Sequence, residues 1–324
     1  MRWVWLVTLV VVSGCATVGT GAVVRDELTF RSSAAAGRGW KVLETERFTL
    51  TTDLEPELAQ QAARLLSQSL TGLNALFARA PVKQDVRIEV VAMADGLDFE
   101  RRFGRRVGGF AASKPNHVTL VLYGPPDRWF ERSELTYEGT ESVVNHELAH
   151  AILRRYFPVQ PRWFAEGMAE FLETFRWLDA THVRLGDPNL ASYRAYRAIR
   201  SLSVGDLDRW EQMSTQRDLE VAGHYGLSWA FVHYLRNREP QSLGRYMSAL
   251  AEQPAQAWAR TFAGREDELD KAIFQYMKVG SYQQFTLEVP PAPAREASLR
   301  PATAAEQETL EKRLEELSVA MKGA

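Results

Sequence analysis

The chain has 324 residues, 45% of them hydrophobic, and a formal net charge of −2 with acidic and basic side chains interspersed. That length and composition allow a substantial core, and the lack of a basic face leaves nucleic-acid binding without support. Cys15 is the only cysteine, so an intrachain disulfide is excluded.

At the start, Arg2 precedes an apolar run from Trp3 to Val12. The run is too short to span a bilayer and has the length of a signal-peptide core. Val12-Ser13-Gly14-Cys15 follows and resembles the bacterial lipobox. On that resemblance residues 1–14 are a lipoprotein signal peptide and Cys15 is acylated. The mature body then hangs from a membrane by its lipid, in the periplasm or at the cell surface of a bacterial envelope. The other reading is an ordinary cleaved signal with an incidental cysteine. Ala16 is not the Asp typical of inner-membrane retention, which favours the outer membrane. Residues 15–39 are small and polar without a period, the pattern of a flexible tether.

An α+β portion is expected next. Residues 46–52 alternate as a strand, and 55–80 carry a helical period through Leu58, Ala62, Leu65, Leu66, Leu70, Leu73 and Leu76. Residues 86–91 and 117–122 read as further strands. Gly108 to Ser113 lies between them, either as an edge strand able to bind an extended peptide or as a plain hairpin arm.

His146-Glu147-Leu148-Ala149-His150 is the most informative segment. On a helix, residues four apart have Cβ atoms roughly 5–6 Å apart. Two imidazoles so placed can reach one zinc ion at about 2.0–2.1 Å, with Glu147 beside the metal as a general base acting on water. Thr140 is the expected N-cap with Glu141 in the first turn, and the apolar helical period runs to about Tyr156. Asn145 reads as a solvated or capping amide.

A catalytic zinc needs a third protein ligand and an open position. The HExxHxxGxxH pattern is excluded, because Leu153 stands where it needs Gly and Tyr156 where it needs His. A second helical pattern begins at Pro161 and carries Glu166, after a short turn bracketed by Pro158 and Pro161. Such a turn would lay the helices antiparallel and bring Glu166 to the histidines.

Together with HExxH, Trp163-Phe164-Ala165-Glu166-Gly167-Met168-Ala169 resembles the gluzincins, the peptidase MA-like zinc metallopeptidases, whose W-[LF]-x-E-G-x-A segment supplies the third ligand. The two motifs cover some 25 residues. No Gly-Ala-Met-Glu-Asn motif accompanies them, so the resemblance carries zinc chemistry and not aminopeptidase specificity. It implies a thermolysin-like zincin fold with zinc on His146, His150 and Glu166. It further implies that Glu170, one turn after Glu166, hydrogen-bonds a ligand histidine, the other reading being an exposed helix carboxylate. Gluzincins also take an oxyanion donor from a later helix. Residues 223–235 resemble that helix, with Tyr225 in the matching position and His224 as second choice. Both are otherwise helix-start residues with no role.

His233 and Tyr234 lie in an apolar run and read as core, while His117 and His182 read as surface. Trp163, Phe164, Phe171, Phe175 and Trp177 recur at helical spacing, as core residues do.

The chain is helical after 195 to about Tyr282, making 40–286 one catalytic unit. The expected class is α+β: a small N-terminal mixed sheet with a long helix, the HExxH helix, then a mainly helical lobe. Residues 287–324 add a Pro-rich linker and an amphipathic helix from Ala304 to Met321, able to dock on the body or on a partner.

The implied activity is zinc-dependent hydrolysis of peptide bonds in peptide or protein substrates, with Glu147 as base and Tyr225 on the oxyanion. The rival is a non-catalytic zinc lipoprotein acting in assembly or partner binding. An intact Glu147 counts against it, since a structural zinc site has no use for a base.

Overall fold

Apolar residues of the central strands alternate between two faces, and this period of two decides how the chain is layered. A computed structural model describes residues 11–13, 36–78, 80–104, 109–114, 116–132, 140–199, 201–212, 218–292 and 298–322. Cys15, the tether up to residue 35 and most of the expected signal peptide lie outside the described residues.

The N-terminal part comprises β1 (Val11–Ser13), β2 (Ala36–Glu44), β3 (Phe48–Leu54), α1 (Pro56–Leu76), β4 (Arg87–Met93), α2 (Gly96–Phe103), β5 (Gly109–Lys114) and β6 (His117–Tyr123). An antiparallel pair, β7 (Phe130–Arg132) and β8 (Thr140–Ser142), leads into α3 (Val143–Tyr156) and α4 (Arg162–Glu173). β9 (Arg176–Trp177), β10 (His182–Leu185), α5 (Leu190–Ala198), α6 (Val204–Asp208) and α7 (Asp218–Arg238) follow. The chain continues through α8 (Pro240–Glu252), α9 (Ala257–Thr261), α10 (Glu266–Val279), β11 (Phe285–Glu288), β12 (Leu299–Pro301) and α11 (Ala304–Lys322).

The protein is thus α+β with a mixed sheet. Among the described residues the main sheet has the order β1-β5-β6-β4-β3-β2-β12. β3, β4 and β6 run parallel, and the remaining pairs are antiparallel. β5 is a hairpin arm against β6, and its outer side pairs with Val11–Ser13. A small sheet, β11-β10-β9, lies on either side of the stretch from 195 to about Tyr282 that the sequence reads as helical.

On one face of the main sheet, Leu50, Ile88, Val90, Leu120 and Leu122 pack with α1 and α3. On the other, Val91, Met93, Phe110 and Val121 meet Phe99 and Phe103 of α2 and Leu310, Leu314 and Leu317 of α11. The C-terminal segment is therefore part of the sheet unit, with β12 paired to β2 and α11 covering the second face. Arg102 donates to Glu311 at 2.8 Å, and Ser318 Oγ donates to the Arg102 carbonyl at 2.7 Å. The structure draws the unit wider than the expected 40–286, since β2 already begins at Ala36 and the terminal helix belongs to the core. Pairing partners more than 200 residues apart leave no local period to read.

The helical lobe centres on an aromatic cluster of Trp163, Phe164, Phe231, Tyr246 and Phe262. His233 and Tyr234 are buried, as expected. Two glycines let helix backbones touch. A Cβ on Gly167 of α4 would stand 2.6 Å from the Ser228 carbonyl oxygen of α7, and one on Gly226 would meet the α5 backbone at Ser192, Ala195 and Tyr196. No described helix is long and apolar enough to cross a membrane.

Candidate metal centre

Helix α3 starts where the β7–β8 pairing ends. Ser142, opposite Phe130 in that pair, is the N-cap and accepts from the Asn145 N–H at 3.2 Å. The expected cap, Thr140, lies two residues earlier in β8. The helix runs through the core with Asn145 to Leu153 all buried, so both histidines and Glu147 are held among packed neighbours. The two imidazole centroids are 5.0 Å apart, with their planes at 71°.

Close packing at Gly167 seats the adjacent Glu166 over this pair. Glu166 Oε2 lies 3.6 Å from His146 Nε2 and 3.4 Å from His150 Nε2. Tetrahedral zinc with bonds of about 2.0–2.1 Å sets ligand atoms about 3.3 Å apart. The donor set and its spacing therefore fit zinc, and one atom from each of the three side chains falls within 4.8 Å of the others. Burial alone would raise Glu166, but the charge of His150 and hydrogen bonds from His146 and His150 outweigh it and hold the carboxyl far below its usual range.

Glu147 is 1% exposed, and its Oε2 has no hydrogen-bond partner among the described residues. An unpartnered buried carboxylate oxygen is costly in a structural helix and is expected of a group kept for an incoming molecule. Burial pushes Glu147 up to about 7, against the opposing pull of His146 and His150.

The carboxylate recorded on His146 Nδ1 is Glu173, with Oε2 at 3.6 Å. Glu170 accepts from Ser192 Oγ and, at 3.0 Å, from Asn189 Nδ2, while the same amide donates to Glu173 at 2.9 Å. Glu170 is not an exposed carboxylate. It backs Glu173 through Asn189, and both have an oxygen within 4.8 Å of a His146 nitrogen. Burial, and after it the charge of Glu173, pushes Glu170 above the usual carboxylate range. Positions 166, 170 and 173 share one helix face, a spacing that would have marked Glu173 in the sequence. Asn189 and Ser192 carry no such mark, because they reach the site through the fold. Asn189 caps α5 by accepting from the Ser192 N–H at 2.9 Å.

Asn145 is neither solvated nor a cap. It is buried and donates to the Phe175 carbonyl at 2.9 Å, tying α3 to the end of α4.

On α7, Tyr225 is buried with its hydroxyl oxygen 3.4 Å from Arg162 Nη2, at the first turn of α4. His224 is buried and stacked on Trp210 at 4.9 Å, with Nδ1 bonded to the Glu220 carbonyl at 2.8 Å. Burial lowers its basicity. His117 sits half-buried beside Glu89, and His182 pairs with Asp179, both away from the cluster formed by His146, His150 and Glu166.

A family model described as a protein of unknown function (DUF1570) matches residues 141–262. No curated protein matches the chain. The matched span takes in α3, α4 and α7, and so includes His146, Glu147, His150, Glu166, Glu173 and Tyr225.

Proposed function

We propose that the chain is a zinc-dependent peptidase of gluzincin type with a thermolysin-like active-site arrangement. The observation that carries this reading is the convergence of His146, His150 and Glu166 at zinc-ligand spacing beside a buried Glu147 whose Oε2 has no partner among the described residues. Zinc held by these three residues would supply a Lewis acid that polarises a peptide carbonyl and acidifies water. Glu147 takes the proton of the attacking water and returns it to the leaving amine. Glu173 holds the His146 ring so that Nε2 points to Glu166. Tyr225 donates to the carbonyl oxygen as it gains charge. The resemblance of the segment at Cys15 to a lipobox supports an activity on the bacterial envelope, anchored by lipid and acting on peptides or proteins. The non-catalytic alternative loses one support, because α11 packs on the protein's own sheet and its apolar stripe is not offered to a partner.

The test is zinc content together with cleavage of a mixed peptide library, for wild type and Glu147→Gln side by side. Equal zinc with cleavage by wild type alone is expected. Full cleavage by the variant, or zinc lost from it, would overturn the role of Glu147. No zinc in either protein would overturn the metal site.

A further inference from the structure

Asn189 follows β10 in the chain, caps α5 and is 1% exposed. Its Nδ2 donates to Glu170 Oε2 at 3.0 Å and to Glu173 Oε2 at 2.9 Å, and its Oδ1 accepts the Ser192 N–H at 2.9 Å. An asparagine amide has two donor hydrogens and one acceptor oxygen, so the whole group is engaged. Turned over, it would set its oxygen against two carboxylates and its nitrogen against a backbone N–H. One orientation is therefore fixed, and Ser192 Oγ, which also donates to Glu170, reinforces it.

Glu170 and Glu173 thus meet at one nitrogen. Two carboxylates this close repel each other, and without a shared donor either is free to turn away. Glu173 Oε2 is also the atom 3.6 Å from His146 Nδ1, while Nε2 of the same ring lies 3.6 Å from Glu166 Oε2. A carboxylate at Nδ1 keeps the proton on that nitrogen and leaves the Nε2 lone pair for a metal ion. The path from Asn189 through Glu173 to His146 is continuous. His146, Glu170 and Glu173 also offer donor atoms within 4.8 Å of one another, a spacing an ion can use. A cation on the two Oε2 atoms would face the amide hydrogens of Asn189, which repel it. The trio is better suited to support one metal site than to form a second.

We propose that Asn189 is a positioning residue for the metal centre: its amide holds Glu170 and Glu173 together and so keeps the Glu173 carboxylate on His146 Nδ1. The inference rests on the proposed zinc reading. Asn189 touches no ligand histidine and acts through Glu173.

The experiment compares the full-length wild type with Asn189→Ser, Asn189→Asp, Glu173→Gln and the double variant Asn189→Ser/Glu173→Gln. Both substitutions at 189 keep an acceptor able to cap α5, so a loss of zinc reports the missing donors and not the cap. In chelator competition Asn189→Ser should bind zinc about tenfold more weakly than wild type. Asn189→Asp exchanges the donors for a third carboxylate and should lose at least as much. The double variant should bind no more weakly than Glu173→Gln alone, since a residue acting through Glu173 has nothing left to hold. Wild type should take up one zinc ion per chain.

A second readout needs no metal. The chain has six histidines, so in protein labelled with ¹⁵N-histidine the His146 ring is assigned by difference against His146→Gln. In metal-free wild type its Nδ1 proton, held by Glu173, should exchange slowly with water and give a distinct signal, which broadens in Asn189→Ser. Thermal unfolding checks the fold of each variant, and should Asn189→Ser not fold, Asn189→Asp gives the same readouts. An unchanged Nδ1 proton signal in the Asn189 variant, losses that multiply in the double variant, or two zinc ions per chain would overturn the inference. If wild type takes up no zinc, the metal reading fails by itself, and the metal-free spectrum still decides whether Asn189 governs the His146 ring.

Discussion

Gly167→Ala tests the packing that places Glu166, the proposed third zinc ligand. The new Cβ would lie 2.6 Å from the Ser228 carbonyl oxygen, 2.8 Å from its carbon and 2.9 Å from Val232 Cγ2. Two of these atoms are helix backbone and cannot rotate away, so α4 and α7 must part by about 0.8 Å to restore ordinary contact beyond 3.4 Å. Overpacking of this kind costs about 1–3 kcal/mol, and backbone contacts place it at the upper end. Alanine returns about 1 kcal/mol through its better helix propensity. The net expectation is a loss of about 2 kcal/mol, or about 3 °C in Tm for a chain of this size. The competing terms make the sign diagnostic, because a loose crossing would let the propensity gain through and raise Tm. Glu166 is the adjacent residue, and metal bonds tolerate displacements of only about 0.2 Å, so zinc affinity should fall by about tenfold or more. Calorimetry of the metal-free protein and chelator competition for zinc measure the two effects separately. A raised Tm with unchanged zinc affinity would refute the claim that this glycine sets the position of Glu166.

Glu173→Gln removes the carboxylate from His146 Nδ1. Zinc affinity should fall by about 10–100-fold in chelator competition, whereas Glu170→Gln should cost less if Glu170 acts only through Asn189. Burial holds His233 down at about 4, against its ordinary 6.5, with its Nδ1 bonded to the Tyr276 hydroxyl at 2.8 Å. The unfolded chain therefore takes up this proton first as pH falls. The contribution to stability is complete above pH 6.5 and is lost as pH approaches 4, about 3 kcal/mol in all. Denaturant unfolding between pH 7 and 4.5 should show a shallower pH slope in His233→Gln than in wild type, and equal slopes would contradict the burial argument. Leu314→Ala empties a fully buried position between α11 and the sheet. It should cost about 2–5 kcal/mol in denaturant unfolding with zinc content unaltered. A negligible cost would mean that α11 contributes little to the core.

The residues of the proposed metal site were legible in the sequence because a helix imposes its own geometry. Four residues of α3 bring His146 and His150 to one face wherever that helix lies, and the spacing 166, 170, 173 does the same on α4. The long α1, the strands β3, β4 and β6 and the buried α7 were legible for a similar reason, since periods of 3.6 and 2 are local. What only the tertiary structure decided depends on residues far apart in the chain. Asn189 and Ser192 draw Glu170 to α5 while Glu173 faces His146, and Phe175 turns Asn145 inward. Ser142 caps α3 because the β7–β8 pairing ends there, although Thr140 is also a favoured capping residue. The stripe of Leu310, Leu314 and Leu317 announced a helix seeking an apolar surface. Which surface it found was settled by alternate residues of β4, β5 and β6 on the second face of the sheet, about 200 residues earlier. Local periodicity states what each segment must bury, and only the packed molecule states against what.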